Sequence, residues 1–244
     1  MRRAPVVLLC GSILAAIATT ATPVASAAGQ CRAGQLRAVG TPTTAFAAVA
    51  RGATATYRRP GTALLTTFPR LNGLGYPTTF SIVGAILNAQ CEASWYRVKL
   101  PMRPNGVVGY VRPANVAVEK VTTRISVDLS RRGLLFYRAG SLVMKVPVGV
   151  GSPATPTPIG RYYVNQRITV ADAHGPFGPA VLGISAFSNV LTDWTEGGPI
   201  AIHGTDEPWS IGRAASHGCI RVANATLERL FALTAAGTPV VIHP

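Results

Sequence analysis

The 244-residue sequence predicts a mainly β fold: a small N-terminal β-barrel-like domain, then a β-sandwich-like domain with one C-terminal helix. Three observations predict it. Ile125, Val127 and Leu129 alternate with Ser126, Asp128 and Ser130, the period of a half-buried strand, and similar short runs recur along the chain. Gly (25) and Pro (19) are plentiful without a G-X-Y period, which suits many turns and excludes collagen. A single stretch near the C-terminus has helical spacing, with Leu227, Leu230, Phe231 and Leu233 inward, Asn224 as its cap and Gly237 as its end. With 48% hydrophobic and 13% charged residues, the chain is not a disordered polyelectrolyte.

The N-terminus reads as an export signal over residues 1–27. Arg2 and Arg3 precede an apolar stretch from Val6 to Ala18, and Ala25-Ser26-Ala27 supplies the small-x-small cleavage pattern. That apolar stretch is shorter than the ~20 residues a spanning helix needs. The expected mature protein is therefore exported, to a cell-wall or periplasm-like space, with no stable membrane span. Residues 28–40 read as a tail. Residues 41–119 read as a small basic β domain: Ala53–Tyr57 alternates, Arg59-Pro-Gly61 turns, Trp95–Leu100 alternates, Pro101–Gly106 turns, and Val107–Val111 is a strand.

The second domain spans 121–244. Ile125–Leu129, Leu134–Tyr137 and Leu142–Val150 form a meander across two turns. Gly151–Gly160 carries three prolines, which remove three backbone donors, so it is a loop packed on the sheet edge. Tyr162–Val170 returns to strand. The Gly-rich stretch 171–198 reads as irregular and long enough for a functional loop or lid. Pro199–His203 is a buried strand delivering His203 at its end, and Val240–His243 is the last strand.

Charge is unevenly spread. The net charge is +14, yet residues 28–120 hold eleven bases against Glu92 and Glu119, while 121–244 are nearly balanced. A basic half meets a polyanion, and the export signal argues against nucleic acid. Without the signal, Cys31, Cys91 and Cys219 remain. Cys31 and Cys91 lie in the basic half and form the expected disulfide of an oxidising compartment, which leaves Cys219 as a free thiol.

Candidate chemistry lies between His203 and Arg221. Cys219 with a histidine partner is the pattern of a thiol nucleophile, which needs an imidazole or oriented amides to become thiolate at neutral pH. Gly218 permits a tight turn that frees backbone N–H groups for an oxyanion. A zinc site of His203, His217 and Cys219 is a second reading, although H-x-C puts its ligands on opposite faces and no usual ligand spacing occurs. Structural histidines beside an inert buried thiol are the third.

Ile202-His-Gly-Thr205 followed by Ser216-His-Gly-Cys-Ile-Arg221 resembles the signature of the L,D-transpeptidase catalytic domain family, cysteine enzymes that cross-link peptidoglycan. Pro156-Thr-Pro-Ile-Gly160 resembles the family's P-T-P-x-G element, and Ile125–Leu129 its opening strand; the likeness covers about 123–244. The resemblance implies Cys219 as nucleophile, His203 as proton donor and acceptor, and the Gly204 carbonyl as the group orienting the imidazole. It further implies Gly218 and Cys219 N–H groups as the oxyanion hole, Ser216 and His217 in support, and Arg221 as a substrate-carboxylate contact, where many members carry Asn. It implies peptidoglycan stem peptides as substrate, thioester chemistry ending in 3-3 cross-links, and no metal or cofactor. Water as acceptor would make the protein an L,D-carboxypeptidase, and an idle site would make it a wall-binding protein. The W-x-x-V-x-L, Pro/Gly turn, G-Y-V pattern of the first domain resembles Src-homology-three-like modules that bind bacterial walls, and its charge fits anionic cell-wall polymers.

Overall fold

The structure is a computed structural model that describes residues 32–193 and 198–244. The export-signal reading and Cys31 lie outside these residues. Mainly β structure with a single α-helix near the C-terminus is what the described residues form.

The N-terminal sheet comprises β1 (Leu36–Ala38), β2 (Ala45–Ala50), β3 (Thr54–Arg59), β4 (Thr62–Phe68), β5 (Thr79–Leu87), β6 (Ala93–Lys99), β7 (Val108–Val111) and β8 (Val116–Val121). Their order is β4-β3-β7-β6-β5-β2-β8, with β1 paired to β5. Alternation sets its inner face: Ala48, Phe80, Val98, Leu100 and Val111 bury one side of consecutive antiparallel strands. Phe68 meets Phe80 edge-on at 5.2 Å. Its likeness to Src-homology-three-like modules rests on the sequence pattern alone.

The C-terminal part comprises β9 (Thr123–Asp128), β10 (Gly133–Arg138), β11 (Ser141–Pro147), β12 (Val150–Gly151), β13 (Gly160–Thr169), β14 (Ala180–Phe187), β15 (Pro199–His203), β16 (Ala214–Ser216), β17 (Ile220–Arg221), the helix α1 (Asn224–Leu233) and β18 (Pro239–His243). The main sheet runs β11-β10-β9-β18-β13-β14-β15-β17, and β12 pairs separately with β16. Parallel contacts join β18 to β9 and β15 to β17. Ile125, Phe136, Leu182, Ile202 and Ile220 form its core with Leu227 and Leu230 of α1. Each fully buried leucine contributes roughly 1.5–3 kcal/mol.

Three sequence expectations are corrected. Residues 171–198 are not irregular throughout, because Ala180–Phe187 is the buried strand β14. It lies between β13 and β15, and burial on both faces erases the alternation that reveals a half-buried strand. Asn224 is not the helix cap: Ala223 occupies that position, and no side chain caps the helix. Nor does Gly237 end it; Thr234 is the C-cap, while Gly237, at φ +85°, makes the turn into β18 and donates its N–H to Val164.

The two sheets meet through specific polar contacts. The Tyr163 hydroxyl on β13 is fully buried and lies 3.0 Å from the Thr79 carbonyl and 3.2 Å from that of Lys99, donating to this pair. Asn105 behaves as a strand edge, accepting the Phe187 N–H at 2.8 Å and donating to its carbonyl at 2.7 Å. Arg103 donates to the Ser188 carbonyl at 2.5 Å. The turn at 101–106 thereby grips the end of β14.

Tyr163→Phe keeps the ring and strips the donor from two buried carbonyls. It is expected to lower stability by about 1–3 kcal/mol, read as a lower urea midpoint.

Candidate active site

The site is built on the pairing of β15 with β17. Their parallel register sets Ile202 opposite Ile220 and His203 opposite Arg221. Both isoleucines are fully buried, which commits one face of each strand to the core. Alternation then turns Ala201 and His203 to the other face, with Arg221 and, one step before β17, Cys219. Cys219 is a half-buried free thiol, whereas Cys91 is disulfide-bonded.

The turn before Cys219 needs glycine. Gly218 has φ +116°, and a Cβ there would lie 2.9 Å from Ile200 Cδ1. The buried Ser216 side chain braces the turn, donating to the Cys219 carbonyl at 2.5 Å and accepting the Gly218 N–H at 3.2 Å. The proline-rich loop holds it from below. Thr157 Oγ1 accepts the Gly151 N–H and donates to the Gly218 carbonyl, each at 2.8 Å. Thr155 Oγ1 and the Ser152 N–H both donate to the Ser216 carbonyl, at 3.1 and 2.9 Å. Across a planar trans peptide the C=O and the next N–H point in opposite directions. Holding the Gly218 carbonyl on Thr157 therefore aims the Cys219 N–H away from the loop.

His203 is 4% exposed. Its Nδ1 lies 2.6 Å from the Gly204 carbonyl, and a carbonyl only accepts, so Nδ1 carries the proton and Nε2 keeps its lone pair. Gly204 in turn abuts Asn224, whose Oδ1 accepts the Thr205 N–H at 2.8 Å and would clash with any Cβ at 204. The Phe177 ring meets the imidazole edge-on at 5.2 Å and leaves half of itself in solvent.

Electrostatics keep the resting pair neutral. Burial lowers the His203 pKa to about 4, aided by the Arg221 charge and opposed by the Gly204 hydrogen bond. Burial likewise pushes the Cys219 thiol up, while an Ala201 backbone hydrogen bond and the Arg221 charge pull it down. Arg221 Nη1 is paired with Glu207 Oε2 at 2.5 Å, and its Nε is buried with no hydrogen-bond partner.

The structure thus brings Cys219, His203, Gly204, Ser216, Gly218 and Arg221 together, with His217 exposed beside them. Among the described residues no group of three or more His, Cys, Asp or Glu side chains is arranged to hold a metal. Sequence reading missed the roles of Thr155, Thr157, Phe177, Glu207 and Asn224. The P-T-P element flagged the loop holding the two threonines; nothing marked Glu207 as the partner of Arg221.

The shift at His203 has a consequence for stability. The unfolded imidazole protonates near pH 6.5 and the folded one near 4, so the unfolded state binds more protons between these values. Stability is unaffected above pH 6.5 and falls by about 3 kcal/mol as the pH drops to 4. Denaturant midpoints measured at pH 7 and pH 4.5 should show most of that loss, and His203→Asn should shrink the pH dependence.

The model of the L,D-transpeptidase catalytic domain matches residues 122–242. The YkuD protein of Bacillus licheniformis, which carries the name of an L,D-transpeptidase, is 35% identical over 126 residues, which cover 52% of this chain and 68% of that protein. The YkuD of Bacillus subtilis is 31% identical over 134 residues, covering 55% and 68%. A solved catalytic domain of the E. faecium L,D-transpeptidase is 26% identical and covers 50% of this chain and 96% of that one, at a TM-score of 0.37, too loose an overlay to argue from. By its identity to the relative from Bacillus licheniformis over more than two thirds of that protein, the chain belongs to the L,D-transpeptidase catalytic domain family.

Proposed function

We propose that the protein is a cysteine-dependent L,D-transpeptidase that forms 3-3 cross-links in exported peptidoglycan through a thioester on Cys219. The observation that carries the proposal is the His203 imidazole, tied at Nδ1 to the Gly204 carbonyl and presenting an unprotonated Nε2 on the face shared with Cys219.

The reaction begins from the neutral pair. As a stem tetrapeptide fills the site, the Cys219 proton passes to His203 Nε2 and Sγ attacks the carbonyl carbon of the third residue. The Cys219 N–H, with Gly218 beside it, stabilises the oxyanion, and Arg221 faces a substrate carboxylate. The C–N bond to the terminal D-alanine breaks, and His203 gives its proton to the departing amine. A side-chain amine from a second stem attacks the thioester and yields a proton to His203. The C–S bond breaks, and that proton returns to Sγ. The Gly204 carbonyl replaces the carboxylate that orients histidine in other triads. A neutral carbonyl supports imidazolium less than a carboxylate does, consistent with a pair that ionises as attack proceeds. Export and contact of the basic N-terminal half with anionic wall polymers belong to the same proposal.

The test is mass analysis of products from purified disaccharide-tetrapeptides. Cross-linked dimers with released D-alanine are expected; tripeptides alone would assign the site to L,D-carboxypeptidase chemistry. Cys219→Ala should abolish turnover and also the adduct that a carbapenem forms on the wild-type protein, with melting temperature little changed. Retained turnover in that variant would sink the nucleophile assignment.

Thr157→Val tests the turn. Removing a hydroxyl that aims the Cys219 amide should lower kcat by about 10-fold or more, with a smaller change in KM. Thr157→Ser should restore most of the rate.

A further inference from the structure

Away from the catalytic face, a cleft of about 490 Å³ opens where β5 and β6 of the N-terminal sheet face β9, β13 and β18. Three cationic side chains line it: Lys99, Arg124 and Arg161. No Asp or Glu lines it, and none of the three is ion-paired among the described residues. The Lys99 ammonium donates to the Arg161 main-chain carbonyl at 2.7 Å, one bond for a group with three donors. The Arg124 guanidinium rests 4.4 Å over the Tyr137 ring, and its Nε is buried without a hydrogen-bond partner. Thr41, Thr43 and Ser81 add hydroxyls along the walls.

This arrangement is costly as it stands. Burial and the Arg161 charge both pull the Lys99 ammonium below its usual pKa. Like charges gathered without a carboxylate destabilise one another, and a buried N–H without an acceptor costs free energy. An anion in the cleft relieves the repulsion among the three charges. A single planar carboxylate leaves two of the three charges unmatched, whereas free phosphate brings about two charges, and a phosphodiester chain brings one at each of several phosphates, for Arg and Lys donors approaching from different strands.

We propose that this cleft is a phosphate-binding site in which Lys99, Arg124 and Arg161 hold the phosphate groups of a wall phosphodiester polymer or of a free phosphate. It gives the anionic-polymer part of the proposed function a location. It is independent of the thiol chemistry, so failure at the cleft leaves acylation of Cys219 untouched, and the reverse also holds.

The experiment is calorimetric titration of the full exported chain at low salt with three probes: inorganic phosphate, a glycerol-phosphate oligomer and an uncharged chito-oligosaccharide. Both phosphate probes are expected to bind, and added salt to weaken them. Arg161→Gln and Lys99→Gln should each weaken binding about 10-fold, with melting temperatures checking that the variants fold. Tighter binding of the oligomer per phosphate identifies a polymer as the ligand, and equal binding per phosphate identifies the free ion; both support the site. Binding of neither phosphate probe, equal affinity in wild type and variants, or preference for the uncharged sugar would overturn it.

Discussion

The parallel register between β15 and β17 is the constraint on which the site depends. Two strands separated in the chain by residues 204–219 are locked by Ile202 against Ile220, both in the core. A one-residue slip in either strand would exchange its two faces, taking Ile202 or Ile220 out of the core and parting His203 from Cys219. Core packing thus sets the face shared by His203 and Cys219, and the cost of taking two fully buried isoleucines out of the core keeps the register unique. Gly218 and Gly204 serve the same register, one by allowing the turn before β17, the other by allowing Asn224 to close on the end of β15.

Around that frame the site favours neutral species at rest. His203 is enclosed by strand, Asn224-braced loop and the Phe177 ring, so its charged form is disfavoured. Arg221 acts on both partners in one direction, stabilising thiolate and opposing imidazolium, and Glu207 moderates it. A carbonyl in the orienting position suits this balance, since it fixes the tautomer without adding a buried negative charge.

The hydroxyls of the proline-rich loop extend the frame. Prolines remove donors and stiffen the segment, while Thr155, Thr157 and the Ser152 amide satisfy carbonyls of the cysteine turn. At the end of β14 away from the Val181–His203 pairing, Asn105 and Arg103 hold Phe187 and Ser188, from which the chain leads into β15. Both attachments bear on the segments that lead to His203 and Cys219.

By itself the sequence determined the mainly β class, the strand that ends in His203, and the H-G and S-H-G-C elements, because period two, turn residues and short motifs are local properties. It did not reveal β14, whose burial on both faces leaves no alternation. It pointed to Asn224 as a helix cap, when the acceptor instead serves Thr205 across the site. The partnership of Arg221 with Glu207, the cover of Phe177 over His203 and the grip of Thr157 on Gly218 join residues distant in sequence or set by loop conformation. Only the tertiary structure decided them, since such contacts arise from which faces the core leaves free, and no local pattern in the chain encodes that choice.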